Sequence, residues 1–154
     1  MHKPSRKHLR LPGYDYSRNG AYFITICTAG RKPLLSCVVP GDGATVPATI
    51  ALTNIGQIAE RHALRIPGLQ NYVIMPNHIH LLLLLDDASN PDRRDISSLI
   101  RSFKTLVTKS VGKPLWQTSF HDHIIRDEQD YLNCWNYIDL NPDKWALDRY
   151  YEEI

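Results

Sequence analysis

The run Tyr72-Val73-Ile74-Met75-Pro76-Asn77-His78-Ile79-His80-Leu81-Leu82-Leu83 sets two imidazoles at the head of an otherwise very greasy strand. Pro76-Asn77 divides the segment, which predicts two strands, Tyr72 to Met75 and His78 to Leu85. Successive strand side chains point to opposite faces, so His78 and His80 share one face while Ile79 takes the other. Polar rings in such a place are costly unless they are hydrogen-bonded or hold something. The spacing alone leaves two readings open: half of a metal site, or a hydrogen-bonded, half-exposed pair.

The chain has 154 residues, 43% of them hydrophobic and 22% charged. That fits a single domain over residues 1–154, with a basic N-terminal arm over 1–19. The formal net charge is only +2, but its sign is uneven: Lys3, Arg6, Lys7 and Arg10 lie in a first decade without an acid. Arg101, Lys104, Lys109 and Lys113 fall in a second acid-free stretch between Ile96 and His121, and most of the acids follow His121. One basic side suits an anionic partner such as nucleic acid; a solvated helix face explains each run separately. Cys27, Cys37 and Cys134 are odd in number and lack paired ligand spacing, so neither a disulfide framework nor a four-cysteine zinc module is supported. Leu9 to Gly13 is no signal core and Leu81 to Leu85 is too short to cross a bilayer, so a soluble, cytoplasmic protein without a membrane partner is expected.

Ala21 to Thr28 is rich in β-branched and aromatic residues and predicts a buried strand. Leu34 to Val39 and Thr49 to Leu52 predict short strands around the Pro40 to Pro47 tip. Asn54 with Gln57 three residues on gives a capping-box pattern for a first helix that Pro67-Gly68 stops. A second helix, from about Asp95 to Val111, carries Ile96, Leu99, Ile100, Phe103, Leu106 and Val107 at helical spacing. Ser97, Arg101, Lys104 and Thr108 line its polar face, suited to phosphate oxygens or simply wet. A last helix begins near Asp127 and Asp130 and is expected to end at Asn141, because the residue before proline avoids helical torsions. The order predicts an α+β fold, ferredoxin-like, with helices packed on one face of a mainly antiparallel sheet.

On the last helix Tyr131, Cys134, Trp135 and Ile138 make the apolar stripe. Tyr137 lies about 100° from its middle, and Asn141 follows one turn later on the same side. A phenol, an amide and two strand histidines allow attack of tyrosine oxygen on a phosphodiester. A free phenol titrates near ~10, so only about one in a thousand is ionised at neutral pH. A cation on neutral imidazoles and an amide oxygen can polarise the phosphate, and Mg²⁺ or Mn²⁺ suits that donor set.

Four segments resemble the REP-associated tyrosine transposases of the HUH endonuclease superfamily: Gly20 to Cys27, Val73 to His80, Trp116 to Asp127, and Tyr137 to Trp145. They occur in order over nearly the whole chain. The resemblance implies a ferredoxin-like enzyme that cuts and rejoins single-stranded DNA next to a hairpin. It places His78 and His80 on the family's metal histidines and Tyr137 on its nucleophile, which forms a 5′-phosphotyrosine and frees a 3′-hydroxyl. Asn141 falls where relatives use a side-chain oxygen, often glutamine, as third ligand.

His123 is a secondary site residue, one of a second same-face pair with His121. Tyr131 lies roughly 120° from Tyr137 around the helix, which favours one tyrosine. Trp116 and Gln117 are candidates to stack on and read an unpaired base. Arg6, Lys7, Arg10, Arg101, Lys104 and Thr108 are the candidate DNA-backbone contacts. Two alternatives stand beside strand transfer: a catalytically inactive nucleic-acid-binding protein, and a metal-dependent phosphodiester hydrolase that uses water. The sequence is compatible with a monomer or a homodimer.

Overall fold

In the computed structural model, residues 20–42 and 44–145 are described; the arm with Arg6, Lys7 and Arg10 lies outside them. In chain order come β1 (Gly20–Cys27), β2 (Ser36–Val39), β3 (Thr49–Leu52), α1 (Asn54–Ala63), β4 (Leu69–Ile74), β5 (His78–Leu85), α2 (Ile96–Val111), β6 (His121–Ile125) and α3 (Glu128–Leu140). Four strands form one antiparallel sheet in the order β4-β5-β1-β6, while β2 and β3 pair as a separate hairpin. With that hairpin and α3 set aside, the succession is β-α-β-β-α-β, the ferredoxin-like arrangement.

Strand alternation sorts the side chains into two layers. Tyr22, Ile24 and Ile26 of β1 and Ile79, Leu81, Leu83 and Leu85 of β5 face the larger core, which Ile96, Ile100, Phe103 and Val107 of α2 and Ala59 and Ala63 of α1 close. Each large side chain buried there contributes on the order of 1.5–3 kcal/mol. The other face carries the alternate residues, among them Phe23, Val73, His78, His80 and Leu82. The expectation of helices on one face holds for α1 and α2 but not for α3. Val73, Met75 and Leu82 leave apolar surface on the reverse side, and α3 covers it with Ile138, flanked by Tyr131, Cys134 and Trp135.

Local chemistry shifts several boundaries. The cap of α1 is Thr53 rather than Asn54: its Oγ1 accepts from the Gly56 N–H at 3.1 Å. Asp95 caps α2 through the Ser98 N–H, and Gly112 ends it in the left-handed region at φ 89°. β4 begins at Leu69, ahead of the expected Tyr72, because its pairing with β5 extends past an irregularity between Leu69 and Asn71. Asn141 keeps helical torsions (φ −59°, ψ −42°) despite Pro142. Its 2% exposure and a continuing turn, in which the Lys144 N–H donates to the Leu140 and Asn141 carbonyls, outweigh the steric bias before proline. Among the described residues, no helix is long and apolar enough to cross a membrane.

Candidate active site

β5 places His78 and His80 side by side, fully buried, with ring centroids 4.6 Å apart. Each ring is oriented through Nδ1. His78 Nδ1 donates to Asn77 Oδ1 at 2.7 Å, and His80 Nδ1 shares a 2.9 Å hydrogen bond with Thr25 Oγ1. An amide oxygen only accepts, so the neutral His78 ring carries its proton on Nδ1 and its lone pair on Nε2. Thr25 reaches His80 because the two are register partners across β1 and β5.

α3 brings Tyr137 onto this face. Its ring stands edge-on to His80 with centroids 5.2 Å apart, and edge-on to Phe23 at 5.8 Å. Tyr137 is 41% exposed, so the phenol borders both the imidazoles and solvent. Trp145, just beyond α3, stacks on His78 with centroids 6.1 Å apart. Asn141 is buried one turn after Tyr137, and its Oδ1 has no hydrogen-bond partner among the described residues. A buried amide oxygen in that condition needs a donor or a cation. Imidazole nitrogen with an amide oxygen is donor chemistry that suits Mn²⁺ or Mg²⁺.

Other predicted residues gather elsewhere. On α2, exposed Arg101 and half-buried Lys104 line a cleft of about 340 Å³ with Ser97, Thr118, Ser119 and Phe120. Lys104 Nζ donates to the Gln117 carbonyl at 2.7 Å, so this ammonium holds the loop before β6 as well as facing the cleft. The Gln117 N–H donates to the Cys27 carbonyl at 2.9 Å. Cys27 is the register partner of His78, so the loop sits at the histidine end of the sheet. Trp116 packs on Phe103 at 5.8 Å, and its Nε1 is buried without a hydrogen-bond partner among the described residues. Thr108 lies half-buried in the last turn of α2. His123 on β6 meets Asp130 of α3 at 2.8 Å, apart from the His78–His80 pair. Tyr131 packs against Trp135 in the smaller core, away from the imidazole contacts that Tyr137 makes.

The sequence reading missed Thr25, Asn77, Phe23 and Trp145 as parts of the site. Thr25 did carry a signal: a hydroxyl on the face of β1 opposite Tyr22, Ile24 and Ile26 is a polar mark inside a buried strand.

No protein-family model matches the chain. An uncharacterized protein of Haemophilus influenzae is 31% identical, over 95% of this chain and 93% of that protein. A REP-associated tyrosine transposase of Escherichia coli is 35% identical over 74 residues, 47% of this chain and 42% of that one. A putative REP-associated tyrosine transposase of Haemophilus influenzae is 35% identical over 146 residues, covering 84% of this chain and 74% of the relative. The chain belongs to the REP-associated tyrosine transposase family. A solved structure of a REP-associated tyrosine transposase bound to a REP hairpin superposes with a TM-score of 0.64 at 25% identity, over 94% of this chain and 74% of that one. The α+β fold with its four-stranded antiparallel sheet is therefore the fold of a transposase of this family.

Proposed function

We propose that this chain, as one domain, binds hairpin DNA and cuts and rejoins the single strand beside it, with Tyr137 as nucleophile. The observation that carries this reading is the placing of the Tyr137 ring against His80 at the open edge of a buried histidine pair. The likeness to a family member seen with a REP hairpin supports the DNA partner. In the cleavage step the Tyr137 oxygen forms a bond to phosphorus and the bond to the 3′ oxygen breaks, the phenolic proton passing to solvent while the departing 3′ oxygen takes one up. The products are a 5′-phosphotyrosine and a free 3′-hydroxyl, and attack by a 3′-hydroxyl reverses the step.

His78, His80 and Asn141 would hold a divalent cation, Mg²⁺ or Mn²⁺, which when bound polarises the scissile phosphate. Asn77 and Thr25 hold the imidazoles in place, and the partly buried rings of Phe23 and Trp145 pack beside them. Arg101, Thr108, Trp116 and Gln117, with Arg6, Lys7 and Arg10 of the arm, are the proposed DNA contacts; Lys104 shapes the loop that presents Gln117. The histidines and the tyrosine meet within one chain, which supports a monomer that needs no exchanged helix.

The test is a covalent adduct on a hairpin oligonucleotide with a single-stranded flank, in Mg²⁺ or Mn²⁺. The natural chain should form it, and Tyr137→Phe should bind the DNA equally well yet form none. Undiminished strand cleavage by Tyr137→Phe would establish hydrolysis by water instead, and binding without cleavage by the natural chain would mark an inactive DNA-binding member.

A further inference from the structure

A second group of ligand atoms lies between β6 and the N-terminal half of α3, ahead of Tyr137. His123, Asp130 and Cys134 present nitrogen, oxygen and sulfur atoms that all lie within 4.8 Å of one another. His123 comes from β6, while Asp130 and Cys134 stand one turn apart on α3, the spacing that turns two side chains to one side of a helix. His123 Nε2 and Asp130 Oδ2 are 2.8 Å apart, and the Cys134 thiol points at Asp130 Oδ1 from 4.0 Å. His123 is exposed and Cys134 half-buried, so the group has a solvent approach on one side and an apolar wall on the other.

We infer that His123, Asp130 and Cys134 form a second cation site, for a zinc-class ion, which fastens α3 to β6. Sulfur with imidazole selects zinc-class ions over Mg²⁺ or Mn²⁺. Three protein ligands leave a fourth tetrahedral position for water. As the metal–sulfur bond forms, the thiol proton passes to solvent; sulfur is not oxidised. The link has a structural purpose in this fold. Ile138 is the one α3 residue buried outright among the described residues, and the first two turns of the helix rest on partly buried Tyr131, Cys134 and Trp135. An ion between Asp130, Cys134 and His123 holds that weakly packed half against the sheet, three residues before Tyr137. The site itself does not depend on the strand-transfer reading.

Cobalt tests it, because a thiolate–cobalt bond gives an intense near-ultraviolet charge-transfer band that His78, His80 and Asn141, lacking sulfur, cannot produce. The full chain, stripped of metal and titrated with Co²⁺, should show that band together with tetrahedral visible bands, and Zn²⁺ should abolish both. Cys134→Ser should remove the charge-transfer band, and Cys37→Ser should leave it unchanged. His123→Gln alters an exposed side chain with little risk to folding. Outer-shell losses alone weaken metal sites by about 10–100-fold, so removing this ligand should weaken Co²⁺ binding by at least about tenfold. No band in the natural chain, a band that survives Cys134→Ser, or unchanged affinity in His123→Gln would each overturn the inference. These readouts need no DNA, so they separate failure of this site from failure of the proposed cleavage.

Discussion

Two hydrogen bonds decide which atoms the histidines offer a ligand. Asn77 takes Nδ1 of His78 and Thr25 takes Nδ1 of His80, so Nε2 is the nitrogen each ring can turn to a ligand. Thr25 is therefore a positioning residue. Thr25→Val keeps its shape while deleting the hydroxyl, and outer-shell losses of this kind cost about 10–100-fold in metal affinity. Mn²⁺ binding and adduct formation should fall together by that range, with hairpin affinity unchanged; equal Mn²⁺ affinity in the variant would leave Thr25 a packing residue. The principal candidates were legible in the sequence because each breaks a pattern: two imidazoles in an aliphatic strand, and a tyrosine off its helix's apolar stripe. Asn77 and Thr25 act through contacts set by a tight turn and by register between strands 55 residues apart in the second case, and no local pattern announces register.

At the level of elements, α1 is seated so closely that its glycine is obligatory. A Cβ at Gly56 would stand 1.9 Å from the Leu35 carbonyl oxygen, itself the acceptor of the Thr53 N–H. Gly56→Ala must push the first turn of α1 off the strand entry, and overpacking of this kind costs about 1–3 kcal/mol. Urea unfolding should show that loss, although alanine is the better helix former. The same helix is tied to β4 by the Tyr72 hydroxyl, which donates to Glu60 at 2.9 Å. Burial, and then this bond to Glu60, raise the Tyr72 phenol above its ordinary 10. The folded state holds the proton longer than the unfolded chain, so this contribution is complete below pH 10 and is lost as pH rises through the folded value. Tyr72→Phe should therefore lose less stability than the natural chain as pH rises above 10; parallel curves would show that the phenol is not coupled to folding. The long amphipathic α2 was legible to within a residue because its apolar stripe and caps agree. β6 was not, since it is a short edge strand, His121–Ile125, with no buried residue and with pairing that depends on β1. The side of the sheet taken by α3 was equally hidden: its apolar stripe says that it packs, and only the reverse-face residues Val73, Met75 and Leu82 say where.

Across the whole molecule the sheet separates two chemistries. α2 and the Arg101 cleft lie over one face, and Tyr137 with the histidines over the other. The loop through Trp116 and Gln117 joins them at the end of β1, bonded on one side to Cys27 and on the other to Lys104. A strand that crossed this end of the sheet would run from the Arg101 cleft to the Tyr137 phenol. Its affinity should then be electrostatic in a measurable way, because each phosphate neutralised releases counterions and steepens the fall of log K with log salt by about 0.7–0.9. Arg101 is exposed and lines the cleft, so Arg101→Ala should weaken hairpin binding and reduce that slope by about one contact. The variant should still form the Tyr137 adduct at saturating DNA, since the histidine site lies beyond the sheet. Fluorescence anisotropy of a labelled hairpin between low and moderate salt measures both quantities. An unchanged slope in Arg101→Ala would move the binding surface off α2 and leave the arm and the loop before β6 to carry the DNA.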